Sequence, residues 1–326
     1  NETCASVGLV MWAHRMFAIK KEAHYYDLLE KTMLNLNLAA ISLDGRKYFY
    51  ENMLRRTKEL EYELVWPLTR TEYITSYCCP PNVARVIAES SEYAYSVSED
   101  GLYIGMYGAN EARIQLGNGW TFMIEQDTQY PYNGNIKLTI KPLEIEGEAK
   151  VNVRIPSWVE DGYIVDAQGI KHQLTGEDAN TFIGVSIDNE KESIIEIMFD
   201  MEVRLTRAHP MVEENTNQVA VEKGPLLYCV ESPDIDVASI DDIMLTPNQC
   251  FEEDTYKVLD REVLALETEV LVMKRKNTKQ DDLYQKLDFQ GFEKKKMRMI
   301  PYFAWDNRGV GEMKIWLPIT FPYEKY

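Results

Sequence analysis

No apolar run in this 326-residue chain approaches the length of a membrane span. No basic segment followed by an apolar stretch marks a signal peptide, in a chain that opens at Asn1 without an initiating Met. Cysteine is scarce: five residues, an odd count without regular spacing, argue against a secreted disulfide framework. Positive charge is also short, with 35 Lys and Arg against 53 Asp and Glu and a net charge of −18. Such a field repels phosphate backbones and anionic lipid, so neither nucleic acid nor a membrane is an expected partner. The two short basic stretches, Lys274-Arg275-Lys276 and Lys294-Lys295-Lys296, read as solvated loops or strand ends. No internal repeat is apparent.

What is present suits an ordinary soluble protein with two or three cored domains. Residues 1–96 read as helical. Val7, Val10, Met11, His14 and Phe17 recur at helical spacing, and a second helix spans Glu22 to Ile41 with Tyr25, Leu28, Leu29, Met33 and Leu36 on its apolar side. A third helical segment covers Met53 to Leu64. A fourth follows Cys79, tolerates Pro80-Pro81 in its first turn, and runs through Tyr93 and Tyr95 toward Val97. These helices form an incomplete layer rather than a closed bundle.

From Leu102 the pattern changes to short alternating runs: Leu102–Tyr107, Trp120–Glu125, Ile136–Ile140, Val151–Ile155, Thr181–Ile187 and Ile194–Phe199. Turn signals such as Asn118-Gly119, Asn133-Gly134 and Glu146-Gly147 separate them, which predicts a β-sandwich over 97–206. A second β-rich domain is expected over 207–326, with strands at Val219–Val221, Leu226–Val230, Leu264–Met273, Met299–Trp305 and Met313–Leu317. Some of its strands would return to the first sandwich. Its middle, Ser232 to Asp254, reads as an acidic loop. The fold class is therefore α+β and multidomain. The 20 tyrosines suit either strands or a surface that meets sugars.

The chemistry concentrates in two short motifs. Glu2-Thr3-Cys4 opens the chain, and Cys78-Cys79 runs into Pro80-Pro81-Asn82. Adjacent cysteines make an awkward disulfide, whereas thiolates with a carboxylate are zinc ligands. A knuckle spacing is absent, so the residues alone leave open a zinc site and free or redox-active thiols. The helix beginning at Cys79 would favour a thiolate there through its unpaired N–H groups and dipole. A metal at this point could equally do no more than tie the first helix to the last. Cys229 lies in an apolar run and reads as a small buried hydrophobe, while Cys250 carries no chemical signal.

These two motifs resemble glycoside hydrolase family 127, with the related family 146. Further matches keep the family's order: Leu29-Glu30-Lys31-Thr32 leading to Asn35, Ser42-Leu43-Asp44-Gly45, Tyr48-Phe49-Tyr50, and Arg154-Ile155-Pro156-Ser157-Trp158. Gly224-Pro225 to Cys229, Ile300-Pro301-Tyr302-Phe303-Ala304-Trp305 and Asn307-Arg308-Gly309 complete the set. The resemblance implies the C-terminal part of an (α/α)6 helical barrel followed by two antiparallel β-sandwich domains. It implies a zinc ion on Glu2, Cys4, Cys78 and Cys79, with Cys78 as nucleophile of a retaining β-L-arabinofuranosidase. Glu30 and Tyr50 would bind substrate. Read without the resemblance, Glu30 is an exposed helix carboxylate.

The family's general acid lies upstream of the Glu-x-Cys motif, and only Asn1 precedes Glu2 here. The expectation is therefore a C-terminal portion with little or no hydrolase activity alone. Its partners would be arabinofuranoside glycans, the missing half of the barrel and, through the second β-region, a second copy in a homodimer. Two other readings are a non-catalytic carbohydrate-binding or assembly module with structural zinc, and a redox protein using a Cys78-Cys79 disulfide. The compartment, cytoplasmic or periplasmic, stays open.

Overall fold

Helical spacing of apolar residues organises the first part of the chain. In the computed structural model, helix α1 (Thr3–Lys20) buries Val7, Val10, Ala13 and Phe17, and ends where Lys21 turns left-handed and donates its N–H to the Phe17 carbonyl. Helix α2 (His24–Lys31) continues into a π-helical stretch, Thr32–Asn37, and helix α3 covers Cys79–Ala88. Phe17, Tyr26, Leu29 and Val86 form the common core of these helices, with Tyr103 and Phe182 packed against it. The structure describes residues 2–57, 66–73, 75, 77–99, 101–144, 149–188, 190–275, 284 and 286–321.

Three expectations change here. The second helix is helical from His24 rather than Glu22, and its last part is wound as π-helix. The fourth stops at Ala88: Ser90–Tyr93 is a 3-10 turn, and Tyr95–Ser98 is a strand paired with Gly101–Ile104. Tyr93, Tyr95 and Val97 are spaced by two, which is strand periodicity. Within the third predicted helix, Arg55–Arg56 is a short strand on Met313–Lys314. Its remainder over 58–65 lies outside the described residues, as does the Glu146-Gly147 turn.

Two compact units result. One combines Glu2–Asn37 with Tyr77–Glu202. Besides the helices it holds a six-stranded antiparallel sheet, ordered Asn110–Gln115, Thr121–Thr128, Asn135–Glu144, Ser193–Phe199, Asp161–Val165, Lys171–Thr175. A four-stranded sheet runs Thr181–Ile187, Ala149–Ile155, Gly101–Ile104, Tyr95–Ser98, with one parallel pairing between Gly101–Ile104 and Ala149–Ile155. Alternate residues of both sheets, including Ile136, Leu138, Ile140, Val151, Val153 and Ile197, enter one core. A side chain added at Gly105 would meet the Tyr26 ring at 2.0 Å, so glycine lets the helical layer approach here.

The other unit joins Leu38–Ser76 to Val203–Tyr326. Its largest feature is the long hairpin of Arg261–Arg275 with Phe289–Pro301, part of a ten-stranded sheet. The acidic middle segment is more ordered than its composition suggests. It contains 3-10 turns at Ser232–Asp234 and Ile240–Asp242 and reaches the strand Glu252–Val258. The Asp234 carboxylate, with Glu231, holds Arg308 through four hydrogen bonds. Its negative charge is thus partly a buried counter-ion. Among the described residues, no helix is long and apolar enough to cross a membrane.

Candidate metal centre

Two helix starts bring the predicted donors together. Glu2 is the N-cap of α1 and Cys4 lies in its first turn, while Cys78 is the N-cap of α3 and Cys79 its first residue. Neither cap side chain caps its own helix. The positive ends of both helices therefore meet where negative ligands would gather. The ligand atoms of Glu2, Cys4, Cys78 and Cys79 all lie within 4.8 Å of one another, a group that could hold a metal ion.

Burial grades the three sulfurs. Cys79 is buried, Cys4 intermediate and Cys78 exposed. Cys4 Sγ is 3.3 Å from Cys79 Sγ, and Cys78 Sγ is 3.8 Å from Cys79 Sγ. Burial pushes the Cys4 thiol above its ordinary value, partly offset by a hydrogen bond from Asn82. Burial, then the Cys4 thiol, push Cys79 up as well. This direction opposes the one the helix dipole predicts for Cys79, because burial penalises the charged form. A bound cation would reverse it. None of the five cysteines, Cys78 and Cys79 included, is in a disulfide in this structure.

The base of the site is anchored internally. Ser6, one turn along α1, donates to Asn37 Oδ1 at 2.6 Å and to the Thr3 carbonyl at 2.7 Å. Asn82 Nδ2 donates to Cys4 Sγ at 3.1 Å, and Arg85 donates to Asn82 Oδ1 at 2.6 Å. Asn82 was not singled out as a site residue in the sequence. Its signal is its place four residues after Cys78, one helical turn on and facing back over the N-terminal turn.

Glu30 and Tyr50 do not belong to this group. Glu30 is 1% exposed, not an exposed helix carboxylate. Its Oε1 accepts a hydrogen bond from Tyr130 at 2.8 Å and pairs with Arg154 Nη2 at 2.6 Å. Tyr50 is half-buried, stacks on Trp66 with ring centroids 3.8 Å apart, and belongs to the Leu38–Ser76 segment of the other unit.

Four residues that could hold a metal ion, set on two helix starts within a mostly β chain, define a candidate metal centre in a chain of two compact units. Comparison with known proteins takes the assignment further. Residues 1–92 match the β-L-arabinofuranosidase GH127 catalytic domain, 101–201 its middle domain, and 203–318 the glycoside hydrolase family 127 C-terminal domain. The chain belongs to glycoside hydrolase family 127. It is 29% identical over 331 residues to a non-reducing end β-L-arabinofuranosidase of Bifidobacterium longum subsp. longum, covering 97% of this chain and 48% of that one. A solved glycoside hydrolase superposes with a TM-score of 0.91 at 36% identity, covering 98% of this chain and 52% of that one. A family 127 β-L-arabinofuranosidase from Geobacillus stearothermophilus T6 gives 0.87 at 29% identity, with 98% and 50% covered. The chain spans about half the length of these relatives.

Proposed function

We propose that this chain carries the zinc centre and nucleophile of a retaining β-L-arabinofuranosidase. Glu2, Cys4, Cys78 and Cys79 would hold the ion. The observation that carries this reading is the convergence of one carboxylate and three thiols within 4.8 Å. The donor set fits: thiolates select zinc over magnesium or calcium. A tetrahedral ion bonded to sulfur at ~2.3 Å requires sulfurs roughly 3.8 Å apart. Cys78 and Cys79 already stand at 3.8 Å, and the 3.3 Å gap from Cys4 to Cys79 needs only to open slightly.

Graded burial supports the choice of nucleophile. Cys78 alone of the three sulfurs is exposed, so a sugar can approach it while Cys4 and Cys79 stay committed to the base of the site. Bound zinc would keep that sulfur deprotonated and a competent leaving group. The Cys78 sulfur would attack the anomeric carbon as the glycosidic C–O bond breaks, giving a thioglycoside. Water would then displace the sulfur with a second inversion, for net retention. The substrate class, L-arabinofuranosides, follows the relatives. Tyr50 remains the candidate sugar contact, and Glu30 a residue that sets the position of its helix. We also read the helices as part of an (α/α)6 barrel, the paired sheets as a β-sandwich and the 203–321 region as a second β-sandwich domain.

Leaving-group departure needs a proton donor. Glu2 is the only carboxylate in the thiol group and is assigned to the metal. The half-length chain should therefore hold zinc without turning over arabinosides. The test is the zinc content of protein purified under reducing conditions. About one zinc per chain is expected, with a clear fall in Cys78→Ser and no release of arabinose from an alkyl β-L-arabinofuranoside, whose alkoxide leaving group must be protonated. A metal-free native chain would overturn the site.

A further inference from the structure

We propose, resting on the zinc reading above, that Asn82 is a positioning residue for the Cys4 sulfur and that Arg85 sets its orientation. The two ends of an asparagine amide have nearly the same shape, so the neighbours decide which way it faces. Arg85 Nη2 lies 2.6 Å from one end, and a guanidinium can only donate. The carbonyl must therefore face Arg85, which turns Nδ2 toward Cys4 Sγ at 3.1 Å. The bond is then N–H to sulfur, the polarity that stabilises a metal-bound thiolate.

The scaffold makes this orientation durable. Asn82 and Arg85 are three apart on α3 and share a helix face. Buried Val83 and Val86 anchor the neighbouring face of that helix, and the Asn82 backbone N–H bonds to the Cys78 carbonyl at 3.1 Å. Cys4 belongs to α1, so this amide spans the two helices that supply the four donors. It aims the Cys4 lone pair and drains charge from the sulfur that α1 supplies. Cys78 can then keep the more exposed position.

Zinc affinity, measured on the whole chain by competition with a chromophoric chelator, tests the assignment. Asn82→Asp keeps the size and the Arg85 contact but presents an acceptor oxygen to the sulfur. Its zinc dissociation constant should rise on the order of 10- to 100-fold. A residue that merely shaped the helix start would tolerate this change, because the Arg85 contact gains charge. Arg85→Met, at an exposed position, should weaken binding by a smaller factor and guards against a folding defect in the first variant. Loaded with Co²⁺, Asn82→Asp should shift the sulfur-to-metal charge-transfer band to longer wavelength, since an unbonded thiolate gives up electrons more easily. Native-like affinity and an unmoved cobalt band in both variants would overturn the role of Asn82 and leave the zinc site standing. A native chain that binds no zinc would overturn both.

Discussion

At the residue scale, the candidate site is a set of thiols whose protonation is set by burial. Cys4 and Cys79 both titrate above their ordinary values, chiefly through desolvation. Both are therefore protonated near pH 7, and a metal must displace their protons to bind. Proton and metal compete for the same sulfur lone pairs. Below both pKa values, apparent zinc affinity should rise with pH, by about tenfold per unit for each thiol proton displaced. Chelator competition between pH 6 and 8 measures that slope, and calorimetry in buffers of different ionisation enthalpy counts the protons. A pH-independent affinity would mean that these two thiols are not ligands. The four clustered residues were legible through the family resemblance, since thiols and a carboxylate alone left metal and redox readings open. Asn82 was not, because an amide gains meaning only from what lies on either side of it.

At the scale of elements, legibility followed burial. Two neighbouring strands of the four-stranded sheet announced themselves: Thr181–Ile187 was read with its observed bounds, and Val151–Ile155 differs by two residues at its start. The Asn110–Gln115, Asp161–Val165 and Lys171–Thr175 strands were missed, and the first and last of these are the two edges of the six-stranded sheet. Leu174 is the only buried residue of Lys171–Thr175, so the apolar alternation that marks a strand is nearly absent. Read without the family resemblance, Glu30 looks like surface for a related reason: its partner is distant in sequence. Arg154, fully buried on the strand Ala149–Ile155, pairs with both Glu30 and Asp27 of α2. Its Nε donates to the Gly105 carbonyl, and Ser157 N–H donates to Asp27. This cluster clamps helix to sheet. Arg154→Met should destabilise the unit by about 3–5 kcal/mol, since two carboxylates lose their counter-ion while one stays fully buried. Adding Glu30→Gln should recover part of that loss in denaturant titrations. Equal stability of Arg154→Met and the native chain would show that the pair contributes only geometry.

Across the whole molecule, the motifs that carried the family resemblance turn out to meet in pairs. Leu29-Glu30-Lys31-Thr32 meets the Arg154–Trp158 block through Arg154, and Ser42–Tyr50 meets the Ile300–Gly309 block in the other unit. There Phe49 stacks on Trp305 with centroids 4.9 Å apart and planes 14° apart. The Leu43 N–H donates to Asn307, and Tyr302 donates its hydroxyl to the Met53 carbonyl. Arg70 lies over Phe49 at 4.6 Å, gives its guanidinium to the Ala39 and Trp305 carbonyls, and donates its backbone N–H to Asp306. Arg56 covers Trp305 at 4.8 Å and pairs with Asp306. A sequence read from left to right assigns Leu38–Ser76 to the helical layer. Its packing makes it part of a unit whose other residues lie more than a hundred positions downstream. Trp305 is the common surface for this segment, fully buried and touched by Phe49, Tyr302 and Arg56. Trp305→Ala should cost about 3–5 kcal/mol in that unit. Limited proteolysis should then cut first between Leu38 and Ser76, the segment that loses its anchor. Zinc content should persist, because all four donors come from Glu2–Asn37 and Tyr77–Glu202. Simultaneous loss of zinc and of protease resistance would mean instead that the two units fold as one cooperative body.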